Sequence, residues 1–165
     1  MKKIAINILI IIYFLVALLI TYFLLSYNKY NTVEINNKYI LTLKEDNEKY
    51  KKSDLLIISK ENELENNDYV FYYDTYASNV IVKYDKIAKV EKINEGEQEV
   101  ILDNELVLSS ENILGKEKNT VSYHLLGTIF NILTSKWGYL LIIIFPMLIA
   151  FVYEIYSIIN EIKRK

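Results

Sequence analysis

A serine becomes a nucleophile only beside a base, and the chain offers Ser53 with Lys83 or Lys86 for that chemistry. Such a lysine must be desolvated so that its pKa falls. The plainer reading of Ser53 is a turn residue ahead of the apolar run at 55–58. Asp85-Lys86 could serve as an acid–base pair, or simply as a solvated pair at a strand junction. His124 is the one histidine, a pH sensor by type and a surface residue by its neighbours. Tyr69, Tyr72, Tyr73, Tyr76 and Tyr84 crowd one stretch. Rings at this density could grip an extended peptide by packing and edge-strand pairing, with Tyr69, Phe71, Tyr73 and Ile81 as the contacts. Ordinary strand composition accounts for them as well. With no cysteine there is no disulfide, Cys-zinc site or thiol nucleophile, and one histidine forbids a multi-His centre. No metal and no cofactor is expected.

The elements that must position these residues fall into three blocks. An apolar run from Ile4 to Leu25 holds only Asn7 and Thr21 as clearly polar members. A second runs from Trp137 to Ile159, interrupted by Glu154 near its end. About 20 apolar residues in a helix cross a hydrocarbon core of about 30 Å. The expected organisation is a transmembrane anchor over 1–26, a β-rich domain over 27–136, and a transmembrane helix with a short basic tail over 137–165. The first block exceeds the usual signal-peptide core and lacks a small-x-small site after it, so it reads as an uncleaved anchor.

Within the middle block, only 39–43 looks like a strand before residue 52. Short runs rich in Val, Ile, Tyr and Phe then follow at 55–58, 69–73, 79–84, 86–93, 100–102 and 106–108. They predict antiparallel strands, with a hairpin around Asp103-Asn104-Glu105 and a turn at 94–97. Residues 125–133 are apolar enough to lie at a membrane surface.

Basic residues flank both ends, at Lys2-Lys3 and Lys163-Arg164-Lys165. They predict two cytoplasmic termini, a plasma-membrane location and a central domain outside. That domain carries 14 Lys against 19 Asp and Glu, a net charge of −5. Nucleic acid is therefore not an expected partner. The expected partners are the bilayer itself, an exported protein, or another membrane subunit facing Glu154; snorkelling to the headgroups is the simpler account of that carboxylate. Lysine outnumbers arginine 18 to 1 amid abundant Asn and Ile, a composition typical of AT-rich bacterial genomes.

In their order, these pieces resemble the type I signal peptidase family, in the branch typical of archaea, the endoplasmic reticulum and some Gram-positive bacteria. Ser53-Asp54-Leu55-Leu56-Ile57-Ile58 is similar to its Gly-Asp-hydrophobic strand, with Ser for Gly. Leu64 to Tyr72 is similar to its Leu-x-x-Gly-Asp-Val-hydrophobic-Tyr element, with Asn67 for Gly. Val82 to Ile87 takes the place of a strand ending in His-Arg-Val or Lys-Arg-Val, and Ile113-Leu114-Gly115-Lys116 that of Ile-hydrophobic-Gly-Lys. Leu126-Gly127 then leads into a segment with Gly138 and Pro146. The resemblance covers 53–159 and implies a mainly β extracytoplasmic domain between two transmembrane helices.

The departures bear on function. The resemblance puts the serine nucleophile near Glu45 or Asp46, where no Ser, Met or Pro stands. It puts the general base, His or Lys in the family, on Asp85. The family's Gly-Asp-Asn stretch is not recognisable between 98 and 110. The implied protein is a non-catalytic relative that binds or assists exported polypeptides. The alternatives are an active serine endopeptidase with a displaced Ser53/Lys pair, and an unrelated two-span interaction module.

Overall fold

The computed structural model describes residues 2–30, 32–61, 63–76, 79–94 and 97–163. Its architecture is mixed: antiparallel sheets with an apolar helix toward each end of the chain. Helix α1 spans Lys2–Leu25. Among the described residues the strands that follow are β1 Val33–Ile35, β2 Lys38–Leu41, β3 Leu55–Ser59, β4 Tyr69–Tyr76, β5 Asn79–Asn94, β6 Glu97–Leu102, β7 Val107–Ser109, β8 Ile113–Lys116 and β9 Thr120–Tyr123. The chain closes with α2 (Leu126–Thr134), a short turn α3 (Lys136–Gly138), a π-helical segment (Tyr139–Ile144) and α4 (Phe145–Lys163). Two compact units result, Ser26–Thr128 and the pair Met1–Leu25 with Ile129–Lys165.

In the β unit, one sheet has the order β1-β2-β3-β9 and the other β7-β6-β5-β4-β8. Strand β5 is long because it serves two partners. Through Lys86 it pairs with β4, and from Ile87 it pairs with β6, with a register break between Ile87 and Lys89. A bulge of this kind bends a strand and sharpens its twist. Strand β4 buries both its faces. Val70, Tyr72 and Ile87 join Val100, Leu102 and Ile113 in one core; Phe71 joins Leu41, Leu56, Ile58 and Leu114 in the other. Each such fully buried side chain contributes about 1.5–3 kcal/mol.

The hairpin at 100–108 forms as expected, with Val100 opposite Leu108. Before residue 52 the structure adds β1 to the expected strand. Asn36 (φ 48°) and Asn37 (φ 60°) both adopt left-handed backbone, the geometry of a two-residue type I′ hairpin turn. Strands β8 and β9, unmarked in the sequence pattern, close one edge of each sheet. The expected turn at 94–97 falls in part on 95 and 96, outside the described residues. Gly115 lets β8 press against β3: a Cβ there would sit 2.3 Å from the Ser59 carbonyl oxygen.

In the helical unit, Ile8–Leu25 and Lys136–Lys163 are long and apolar enough to cross a membrane. Only 11% and 6% of these windows are buried, so the chain itself leaves most of their apolar surface uncovered. Pro146 lacks an N–H, which removes the donor that the Ile142 carbonyl would use in an α-helix. The Tyr13 hydroxyl donates at this break, at 2.5 Å to the Ile143 carbonyl and 3.3 Å to that of Ile142. Thr21 Oγ1 and the Tyr139 hydroxyl share a second bond of 2.8 Å within the unit.

Candidate functional site

A cleft of about 210 Å³ opens on the β unit where three segments meet. The first half of β5 supplies Ile81, Lys83 and Asp85, which alternate onto one strand face with Tyr72 of β4 opposite Lys83. The loop after β2 supplies Leu43 to Asn47, and the β6–β7 turn supplies Asn104. Glu45 and Asp85, 40 residues apart in sequence, thus line one cavity.

Local hydrogen bonds hold the loop. Asp46 accepts from the Lys52 N–H (2.7 Å), and Asn47 Oδ1 accepts from the N–H groups of Lys49 (2.9 Å) and Tyr50 (2.6 Å). Asn and Asp side chains that bond nearby backbone stabilise turns in this way. Tyr50 is thereby seated in the core beside Phe71, at 5.5 Å between ring centres. Glu45, exposed at the cleft mouth, has no such duty.

Lys83 does not meet the requirement for a base. Its Nζ lies 2.6 Å from Asp74 Oδ2, and this bond, with further help from Asp74 and Glu45 charge, raises its pKa above the ordinary lysine value. A general base would need the opposite shift. Asp85 Oδ1 accepts from the Lys86 N–H at 2.7 Å, within β5 rather than at a strand junction. Lys86 itself stands opposite Tyr69. Ser53 lies half-buried in the turn before β3, and its carbonyl oxygen would be 2.7 Å from a Cβ on Gly127. The cleft presents carboxylates, Lys83 paired to Asp74, the exposed Lys44, Asn47 and Asn104, and Tyr72 and Tyr84; Ser53 is not among its lining residues.

The tyrosine-rich strand differs from the expected peptide-binding edge. β4 is bonded to β5 along its whole length and to β8 from Val70 to Tyr72, so that stretch has no free edge. Phe71 is completely buried and packs the core. Tyr73 is tied down by Thr32 (2.6 Å) and Asn28 (3.0 Å) and packs against Tyr30 with the rings tilted by 44°. Tyr69 remains 45% exposed, lying flat on Tyr84 at 5.5 Å. Ile81 faces the cleft. Of the four expected contacts, Tyr69 and Ile81 are the ones left accessible.

Three buried or half-buried carboxylates brace the surroundings through side-chain bonds. Lys116, fully buried, binds Asp68 at 2.7 Å across β8 and β4. Burial opposes both charges, but their mutual bond prevails, lowering the Asp68 pKa and raising that of Lys116. Asp54, also buried, accepts from the Lys51 N–H at 3.0 Å and meets His124 Nδ1 at 2.9 Å. Burial would raise its pKa, yet the Lys51 N–H and His124 bonds hold it below the usual range. His124 is thus exposed as expected but anchored by a buried carboxylate. Glu117 binds both Lys49 and the Tyr84 hydroxyl; burial and this bond push the Tyr84 pKa far up. Asn67 (φ 70°) stands at the glycine position of the resembled motif, where Asn is among the residues that tolerate left-handed backbone. Among the described residues no group of three or more His, Cys, Asp or Glu is arranged to hold a metal ion. The chain matches no protein-family model, no curated protein and no solved structure.

Proposed function

We propose that this chain is a signal-peptidase-like membrane protein that has lost the catalytic pair and binds or assists exported polypeptides at the outer face of the membrane. One observation carries the reading: the segment standing for the family's nucleophile, Glu45-Asp46, and the position standing for its base, Asp85, line the same cleft. The meeting of Asp68 and Lys116, drawn from two further motif elements, and the left-handed Asn67 support it. In this reading α1 and the Lys136–Lys163 helix span the plasma membrane, both termini are cytoplasmic, and the β unit lies outside.

The chemistry follows from what the cleft contains. A carboxylate attacks an amide poorly, and neither Glu45 nor Asp85 supplies the hydroxyl and the His or Lys base of the family's chemistry. Binding survives the loss, because the cavity and the exposed Tyr69 face do not depend on a nucleophile. The test is incubation of the purified full chain with a signal-peptide substrate and a serine-directed acylating inhibitor. The expected result is neither cleavage nor labelling, with photo-crosslinking of an exported chain through Ile81 or Tyr69. Cleavage abolished by Ser53→Ala would replace this reading by that of an active peptidase with a displaced pair. Neither cleavage nor crosslinking would favour a plain two-span interaction module.

A further inference from the structure

Within the helical unit, an apolar groove of about 580 Å³ runs between α1 and α4. Leu9, Tyr13 and Phe14 form one wall, and Pro146, Ala150 and Glu154 recur every fourth residue along the other. Glu154 is the one ionisable carboxylate lining it. Beyond this residue the helix carries Ile155, Tyr156, Ser157, Ile158 and Ile159, with no further charge, which places it about 9 Å of helix rise inside Asn160. Among the described residues Glu154 makes no ion pair and no hydrogen bond, and the nearest polar wall group, the Tyr13 hydroxyl, is committed to the Ile143 carbonyl.

From this geometry we infer that the groove docks a transmembrane helix of another membrane protein, one that carries a Lys or Arg at the depth of Glu154. The inference rests on the two-span reading above. A carboxylate within a membrane span is costly unless paired, and such residues characteristically face partners. Charge complementarity decides the occupant. A second copy offers no cation, since neither this chain's 4–25 nor its 137–159 stretch contains Lys or Arg. An acyl chain would fill the apolar walls and leave the carboxylate unpaired. Ala150 lets a helix backbone approach closely one turn from Glu154, as small residues do at membrane helix interfaces.

The test uses the full chain in phosphatidylcholine vesicles, dye-labelled through Lys163→Cys, since the native sequence has no cysteine. The probe is a synthetic single-span Leu/Ala peptide with one Lys six residues inside its end; the control peptide has Leu there. Energy transfer should report the Lys peptide bound about threefold to twentyfold more tightly than the control, the range for polar contacts between membrane helices. Glu154→Gln should erase the difference, and Ala150→Leu should weaken binding of the Lys peptide. Equal binding of both peptides would overturn the proposal, as would displacement of the Lys peptide by unlabelled chain, which would assign the groove to a second copy. Insertion is checked on the same vesicles by labelling a chain carrying Asn66→Cys. A chain that inserts but does not discriminate overturns the docking alone; a chain that fails to insert overturns the two-span reading and the docking with it.

Discussion

Residue by residue, the β unit depends on charges whose worth lies in their pairing. Lys116 is buried against Asp68, so removing the carboxylate leaves an uncompensated cation in the core. Asp68→Ala should destabilise by about 3 kcal/mol, whereas the joint change of Asp68 and Lys116 to Leu and Met should be much milder. Chemical denaturation of the two variants checks this. Acid sensitivity follows from the same groups. Asp54, Asp68 and Glu117 are all held below their ordinary values, chiefly against burial and by their hydrogen-bonded partners. Depressed carboxylates contribute stability above their unfolded pKa values of about 3.9–4.3, and lose it as pH falls through the folded values. The unfolding midpoint should therefore hold from pH 5 upward and drop below about pH 4, with a shallower drop in Asp68→Asn. These pairs were partly legible in the sequence. Asp54, Asp68 and Lys116 each sit in a recognisable motif, but pairing across 48 and 70 residues needs the register of β4 on β8 and of β3 on β9. Asn104 was invisible because a turn amide carries no pattern of its own.

Individual elements show where periodicity stops being informative. Strands β5, β6 and β7 announce themselves by composition, and β3 by a compact apolar run. β4 buries both faces at Val70–Tyr72, so its sequence gives a continuous aromatic run that also suggests a peptide-binding edge; the second partner, β8, removes that edge over these three residues. β1 hid in a polar stretch because its hairpin turn is Asn36-Asn37 rather than the commoner Asn-Gly. The left-handed sites give a direct check on that geometry. Asn67→Gly should be nearly neutral, while Asn67→Val should cost about 1–2 kcal/mol, because a branched side chain resists φ 70°. Thermal melts of the two variants decide it. At the other end of the size scale, Gly115→Ala should disturb the β3–β8 approach severely, since its Cβ would overlap the Ser59 carbonyl. In the helical unit, Tyr13→Phe removes the donor at the Pro146 break and should weaken the pairing of α1 with the following helices by about 0.6–2 kcal/mol. Denaturation in detergent, compared with wild type, measures that loss.

The whole molecule turns on how the uncovered apolar helices and the charged β unit share solvents. Both helices expose apolar side chains along most of their described length, and only 11% and 6% of the two windows are buried within the chain. The β unit, by contrast, has two closed cores and an acidic surface. A bilayer would suit this division, because helices satisfy their own backbone there and sheets with open edges do not. Orientation then rests on charge alone. In the proposed reading, Lys2 and Lys3 at the start of α1 and the basic run 163–165 share one side, as two crossings require. In the two-span reading proposed above, the β unit lies on the opposite side and its cleft meets polypeptides leaving the cell. In whole cells, an impermeant thiol reagent should label Asn66→Cys and leave Lys163→Cys untouched until the membrane is permeabilised. Labelling of position 163 alone would invert the topology, put the cleft in the cytoplasm and remove exported chains as its ligands. Labelling of both would mean that the final helix does not cross and has to pack on a protein surface instead.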